Sequence, residues 1–273
     1  MGTANDLRIE RITPAVGAEI HGVDLARGVD EATVRTIRRA LVDHGVVFLR
    51  DQTLDAGQYE AFAQRFGEPT LPNSGIIPPL PGARWICEVR KEEGRTRNVG
   101  GTWHADQVYR ANPSWGTMLL CRRLPPTGGD TLFLSMAAAY ERLSEGLKKT
   151  LQSLRAVHSN AGVQARMGTG RTPDPEVTHP VVIRHPESGR FILYVSPGYT
   201  TRFEGWTEEE SQPLLEHLFR HAQHPEFFMR FKWREGSLAF WDNYQTWHFA
   251  VNDYAAGERL MHRIVVNGPP FDR

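Results

Sequence analysis

Among the 11 histidines and 32 acidic side chains of this 273-residue sequence, three histidines stand two positions before an acid: His104 with Asp106, His185 with Glu187, and His224 with Glu226. Chance supplies about one such triplet in a chain of this composition, so the spacing alone says little. The setting separates the three. Pro186 and Pro225 directly follow their histidines, removing a backbone donor and favouring a turn. His104-Ala105-Asp106 has no such break, and on a strand residues i and i+2 point to the same side, so both side chains could bind one metal ion. Two imidazoles and one carboxylate on one face of a metal, with the other positions open, is the donor set of non-haem iron(II) chemistry. The second imidazole should come from a later strand with a water-excluding surround. His248 fits, lying in Phe240-Trp241-Asp242-Asn243-Tyr244-Gln245-Thr246-Trp247-His248-Phe249-Ala250, just after an expected core strand. Taken alone it reads more simply as a satisfied core histidine.

Two arginines close the set. Arg259 and Arg263 stand four residues apart in the last strand-like segment, so on a strand they share a face at about 13 Å along the backbone. Outward, they would be solvated charges. Inward, their guanidiniums would be forks for carboxylates or similar anions, meeting two anions or converging on one. No acid in the neighbouring motif is free to neutralise Arg263 except Asp106, which a metal would occupy, so an anionic substrate is expected opposite it.

The elements that must position these groups are mostly strands. Leu7 to Ile12, Val46 to Arg50, Arg84 to Arg90, Trp115 to Cys121, Thr131 to Leu134, Val181 to His185 and Phe191 to Val195 are rich in β-branched and aromatic residues and bounded by Gly, Pro or Asp; so are Phe227 to Trp233, Ser237 to Trp241 and Leu260 to Val266. Helices are fewer. Asp30 can cap one with Val34, Ile37 and Leu41 on one face, Asp55 a second that stops at Gly67, and Ser135 a third; Thr207 and Glu210 form a capping box for a fourth. Tight turns at His185 to Arg190 and Arg234 to Gly236 imply antiparallel hairpins. The expected class is α+β, a double-stranded β-helix or jelly roll with helices packed outside, as a single domain over residues 1–273. The Gly- and Pro-bearing stretch from about 160 to 178 is the candidate mobile lid.

Composition narrows the partners. Lys plus Arg and Asp plus Glu each total 32, so no basic excess draws the chain to nucleic acid or to anionic membranes. The longest apolar runs, such as Val46 to Leu49, are far short of the ~18 residues that span a bilayer. The first ten residues form no apolar leader, and Cys87 and Cys121 read as buried free thiols of a reducing compartment. The expectation is a soluble, cytoplasmic protein.

Thr102-Trp103-His104-Ala105-Asp106, Gly128-Gly129-Asp130-Thr131, Trp241-Asp242-Asn243 with His248, and Arg259 with Met261-His262-Arg263 together resemble the taurine and 2,4-dichlorophenoxyacetate dioxygenase family, in order and spacing from about residue 7 to 268. The resemblance implies that His104, Asp106 and His248 bind iron(II), and that Thr131 and Arg259 hold the distal carboxylate of 2-oxoglutarate, consumed with O2 to give succinate and CO2. It also implies that Arg263 takes the anionic head of a small substrate, a carboxylate, sulfonate or sulfate. That substrate is hydroxylated, or cleaved where the attacked carbon bears oxygen or sulfur. Asp106 itself speaks against halogenation, which needs that ligand position vacated. The segments around His158, His179 and Tyr194 look most like the phenoxypropionate-type members. Where the taurine enzyme carries polar substrate partners, this sequence has Pro72, Gly75 and Gly100, which speaks against taurine and for a more apolar pocket walled by Ile76, Ile77 and Tyr109. By family analogy a homodimer or homotetramer is expected.

Two other readings remain open at this point. A jelly-roll metal enzyme that uses no 2-oxoglutarate would not need Thr131 or Arg259. A non-catalytic ligand-binding jelly roll would keep the histidines as structural residues.

Overall fold

The computed structural model describes residues 7–71 and 77–268. In chain order the elements are β1 (Arg8–Arg11), β2 (Ala18–His21), α1 (Glu31–His44), β3 (Val46–Leu49), α2 (Ala56–Gln64), β4 (Cys87–Lys91), β5 (Gly116–Arg123), β6 (Thr131–Ser135), α3 (Met136–Glu141), α4 (Glu145–Gln152) and β7 (Arg155–His158). There follow α5 (Ala161–Met167), β8 (Val177–Pro180), β9 (Val182–Arg184), β10 (Phe191–Leu193), β11 (Thr200–Phe203), α6 (Glu208–Ala222), β12 (Phe228–Phe231), β13 (Leu238–Asp242), β14 (Thr246–Ala250) and β15 (Arg259–Val266).

A seven-stranded sheet in the order β1-β2-β3-β13-β5-β15-β4 faces a three-stranded sheet in the order β12-β6-β14. All pairings are antiparallel except β2 with β3. Side-chain parity builds two cores. Val46 and Phe48 of β3, Leu119 and Cys121 of β5, Phe133 of β6, Met229 and Phe231 of β12, and Ala239 and Trp241 of β13 point between the sheets. Their neighbours Val47, Leu49, Met118, Leu120, Leu134, Leu238 and Phe240 belong to the second core, with Ile37, Leu41 and Phe62 of the outer helices. The inner layer is aromatic: Phe48 stacks on Phe231 at 3.8 Å and meets Phe133 edge-on at 5.4 Å. Cys121 and Cys87 are buried free thiols, and burial pushes Cys121 up to about 12.

Asp30, Asp55, Ser135 and Thr207 cap their helices through side-chain oxygens, as the sequence implied. Several expectations need correction. The helix from Asp55 ends at Gln64 and not at Gly67. Gly67 answers another demand, since a Cβ there would sit 2.1 Å from the Asn267 carbonyl oxygen. The strand expected from Arg84 starts only at Cys87, because the backbone N–H groups of Arg84 and Trp85 both donate to Glu60 Oε1. His185 to Arg190 does join the antiparallel pair β9 and β10. Arg234 to Gly236 forms no hairpin: it carries the chain from β12 in the small sheet to β13 in the large one. The candidate lid is not structureless, since α5 occupies its first half and β8 its end. Among the described residues no helix is long and apolar enough to cross a membrane.

Candidate metal centre and its surroundings

The two histidines face each other through the backbone. His104 N–H donates to the His248 carbonyl at 3.1 Å and His248 N–H to that of His104 at 2.8 Å, forming an isolated bridge beside β14. His248 follows the core strand β13, as expected, and lies within the next strand, β14, opposite Phe133 of β6. His104-Ala105-Asp106 is not the expected strand either: after the bridge the chain enters a turn that begins at Asp106, with Gln107 at φ 57°. Asp106 opens that turn and presents its carboxylate to both imidazoles.

The result is one cluster. Ligand-type atoms of His104, Asp106 and His248 all lie within 4.8 Å of one another. His104 Nε2 is 3.8 Å from Asp106 Oδ1, and His248 Nε2 is 4.0 Å from Asp106 Oδ2. His104 Nδ1–H donates to the Thr102 carbonyl at 2.7 Å, which fixes the tautomer and leaves the Nε2 lone pair toward the cluster. Trp241 and Phe133 pack on the His248 ring at 4.6 and 6.4 Å. Burial lowers the basicity of both imidazoles. Burial alone would raise Asp106, but the charge and hydrogen bond of the Arg263 guanidinium outweigh it and hold its carboxyl below the usual carboxylate range. Neutral imidazoles beside an ionised carboxylate are the protonation states a divalent cation requires, so the residues present fit an iron(II) ion.

A buried network orients the carboxylate. Thr117 on β5 donates to Asp106 Oδ2 at 2.8 Å, and Asn243 Nδ2 donates to Thr117 Oγ1 at 2.9 Å. Asn243 Oδ1 accepts from the Trp241 indole at 2.9 Å and from Asp106 N–H at 3.3 Å. Arg263 also reaches Asp106 Oδ2, at 2.9 Å. The carboxylate set aside as unavailable is thus the partner this arginine has. Oδ2 is held by the protein, and Oδ1 is the oxygen nearest His104 Nε2.

Arg259 behaves differently. The residue is 5% exposed, and its guanidinium donates to the Gly129 carbonyl at 2.9 Å and to Thr131 Oγ1 at 3.4 Å and makes no ion pair among the described residues. Trp233 Nε1–H donates to the same Thr131 hydroxyl at 2.9 Å. Gly129 is close-packed on this arginine, with the place of a Cβ 3.2 Å from Arg259 Cδ.

A cavity of about 550 Å³ opens from the cluster and is bordered by His104, Asp106, Arg263, Gly100, Ile77 and Tyr109. His248, Thr131 and Arg259 lie outside its wall. Gly100 is at φ 84° with its Cβ position 3.4 Å from the His104 ring, so a side chain there would press on a candidate ligand. Ile76, like Pro72 and Gly75, lies outside the described residues. Val163, Arg166 and Met167 of the candidate lid also line this cavity. Sequence reasoning missed Thr117, Asn243 as an orienting group, Trp233, and Tyr199, Arg110 and Arg166 in the cavity wall. Thr117 had a readable signal, a lone hydroxyl at an inward position of an otherwise apolar strand; Tyr199, in an irregular Ser-Pro-Gly-Tyr segment, had none.

Comparison with known proteins agrees with this arrangement. Residues 8–265 match the family model described as taurine catabolism dioxygenase TauD, TfdA family. An alpha-ketoglutarate-dependent sulfate ester dioxygenase of Pseudomonas putida is 34% identical over 97% of this chain and 91% of its own. A crystal structure of a taurine dioxygenase from Burkholderia xenovorans superposes with a TM-score of 0.84 at 38% identity, over 97% of this chain and 92% of that one. The crystal structure of AAD-2 in complex with Mn(II) and N-oxalylglycine superposes with a TM-score of 0.83 at 26% identity, over 97% and 99% of the two chains. With the matched length, the jelly roll and the His-Asp-His cluster in agreement, the chain belongs to the taurine catabolism dioxygenase TauD, TfdA family and is an iron(II)- and 2-oxoglutarate-dependent dioxygenase.

Proposed function

We propose that His104, Asp106 and His248 hold the iron(II), that Arg259 and Thr131 hold the far carboxylate of 2-oxoglutarate, and that Arg263 receives the anionic head of a small organic substrate. The observation that carries the reading is Arg259. A buried guanidinium whose partners are two neutral oxygens costs roughly several kcal/mol unless an anion joins it, and a carboxylate supplies the bidentate acceptor that its fork requires. Iron(II), O2 and 2-oxoglutarate supply the oxidising power when bound, with succinate and CO2 as coproducts.

The chain's own residues position and exclude. Thr102 and Thr117 orient His104 and Asp106 through the bonds described above. Phe133 and Trp241 keep water from His248. Arg263, tied to Asp106 Oδ2, places a bound anion beside the metal ligands, so that a C–H bond of the substrate comes nearest the oxidant. Sulfate ester and 2,4-dichlorophenoxyacetate dioxygenases among the relatives support an anionic organic substrate, hydroxylated or cleaved at that carbon. The reading includes one domain, α5 and the segment after it as a lid over the cavity, cytoplasmic operation and a homodimer or homotetramer.

The test is succinate release with iron(II), ascorbate and 2-oxoglutarate over alkanesulfonates, alkyl sulfates, aryloxyalkanoates and other small acids. An anion should be the best substrate, and Arg263→Gln should weaken its use by orders of magnitude while uncoupled succinate formation persists. His104→Ala, Asp106→Ala and His248→Ala should each lose iron and turnover with the fold retained. A neutral compound that leads the screen and is indifferent to Arg263→Gln would refute the substrate role.

A further inference from the structure

Among the described residues the wall of the cavity carries five arginines, Arg90, Arg97, Arg110, Arg166 and Arg263, and one carboxylate, Asp106. Arg263 is accounted for by Asp106. Arg90 is accounted for by Glu88 and Glu258. Arg97, Arg110 and Arg166 make no ion pair among the described residues, although the chain has as many acids as bases. The inner charges balance without them. Arg259, Arg263 and a divalent cation against Asp106 and the two carboxylates of 2-oxoglutarate leave a single positive charge, which one anionic head at Arg263 neutralises. The rim cations are left over.

Two tyrosines connect the inner and outer charges. The Tyr109 and Tyr199 rings pack at 5.0 Å, and both border the cavity. Burial raises both phenols; the charges of Arg110 and Arg263 act against it at Tyr109, and those of Arg263 and Arg166 at Tyr199. Asp174 is also within electrostatic reach of Tyr109, but its carboxylate accepts from Asn160 and does not border the cavity. Ile77, Val163 and Met167 add apolar wall beside the aromatic pair.

We infer that Arg110 and Arg166 form a second anion subsite at the cavity mouth, so that the preferred substrate is a dianion with a sulfonate, sulfate or carboxylate at each end of an apolar body lying along Tyr109 and Tyr199. This rests on the dioxygenase reading for the inner end, where Arg263 holds the first anion. A merely attractive rim behaves differently. It would speed the arrival of every anion alike and fade with salt, whereas a subsite distinguishes two charges from one on a chain of equal length.

The experiment titrates the protein loaded with Mn(II) and N-oxalylglycine with n-alkane-α,ω-disulfonates and with n-alkanesulfonates of the same length, from butane to dodecane, by calorimetry at low and at moderate salt. At the spanning length the disulfonate should bind about tenfold or more tightly, as one added charge-assisted fork contact allows. The Arg110→Gln/Arg166→Gln double variant should lower the ratio of dianion to monoanion affinity about tenfold. Arg27→Gln/Arg39→Gln, with the same change in net charge on exposed side chains away from the cavity, should leave that ratio alone. Equal affinities for both series at every length, a preference that survives the double variant, or one reproduced by the control pair would overturn the subsite. Because the readout is binding, failure of turnover in the succinate screen would strike the dioxygenase reading and leave this result standing.

Discussion

A guanidinium buried as deeply as that of Arg259, between Gly129 O and Thr131 Oγ1, has no approximate substitute. Arg259→Lys keeps the charge but replaces a planar fork with a point donor, and should raise KM for 2-oxoglutarate about tenfold or more, with kcat less affected. Unchanged steady-state kinetics against varied 2-oxoglutarate would reassign the residue. Thr117 is the complementary case, acting through another side chain. Thr117→Val keeps the shape but removes both the O–H that helps hold Asp106 Oδ2 and the oxygen that accepts from Asn243, so iron(II) affinity should fall roughly tenfold to a hundredfold in a metal titration and the melting temperature should fall with it. His104, Asp106, His248, Thr131, Arg259 and Arg263 stand out in the sequence because residue type, order and spacing match the family's motifs at those positions. Thr117 shows in the sequence only as a lone hydroxyl in an apolar strand, and Trp233 not at all, because the groups they meet, Asp106 and Thr131, are brought to them by the packing of the two sheets.

At the level of elements, backbone crowding decides more than propensity. Gly67 stands three residues beyond the end of α2, and its place is dictated by the Asn267 carbonyl. Gly67→Ala should cost about 1–3 kcal/mol by forcing that carbonyl away, seen as a lower urea midpoint with an unchanged slope. Wild-type stability in that variant would mean the contact relaxes freely. The strands with aromatic and β-branched runs were legible, as were the four capped helices. β2, β7, β8, β11 and β14 were not: a short strand such as Thr-Thr-Arg-Phe gains its identity from a partner far along the chain, here β7. The turn at Arg234 to Gly236 misled for a related reason. Local turn chemistry is the same whether the chain folds back in one sheet or crosses to the next, and only the pairing of β12 with β6 and of β13 with β3 and β5 tells them apart.

Over the whole molecule, buried histidines make stability depend on pH. Burial, reinforced by the neighbouring His179, pushes His158 down to about 3; burial, with the Arg122 charge, pushes His262 down to about 4. In the unfolded chain both titrate near 6.5. As pH falls below that value the unfolded chain takes up protons that the native state refuses, so stability present above pH 6.5 drains away until the folded values are reached. His158 alone should cost on the order of 2 kcal/mol between neutrality and about pH 5. Thermal melts at those two pH values should show the loss, and His158→Gln should reduce it; a pH-independent difference between variant and parent would contradict the linkage. The alternation along β15 has a separate consequence for how this protein can change over evolutionary or laboratory time. Arg259, Met261 and Arg263 face the interior while Ile264 and Val266 face the helices, and the one offset in its pairing with β5, at Leu260 and Met261, leaves Arg122 as the extra residue. Deleting or inserting one codon just ahead of Arg259, with the backbone pairing to β5 and β4 kept, would turn both guanidiniums into the helix-packed layer and send Ile264 toward the metal ligands. Variation in β15 is therefore confined to exchanges at constant length, and length polymorphism belongs in connections such as that between α5 and β8.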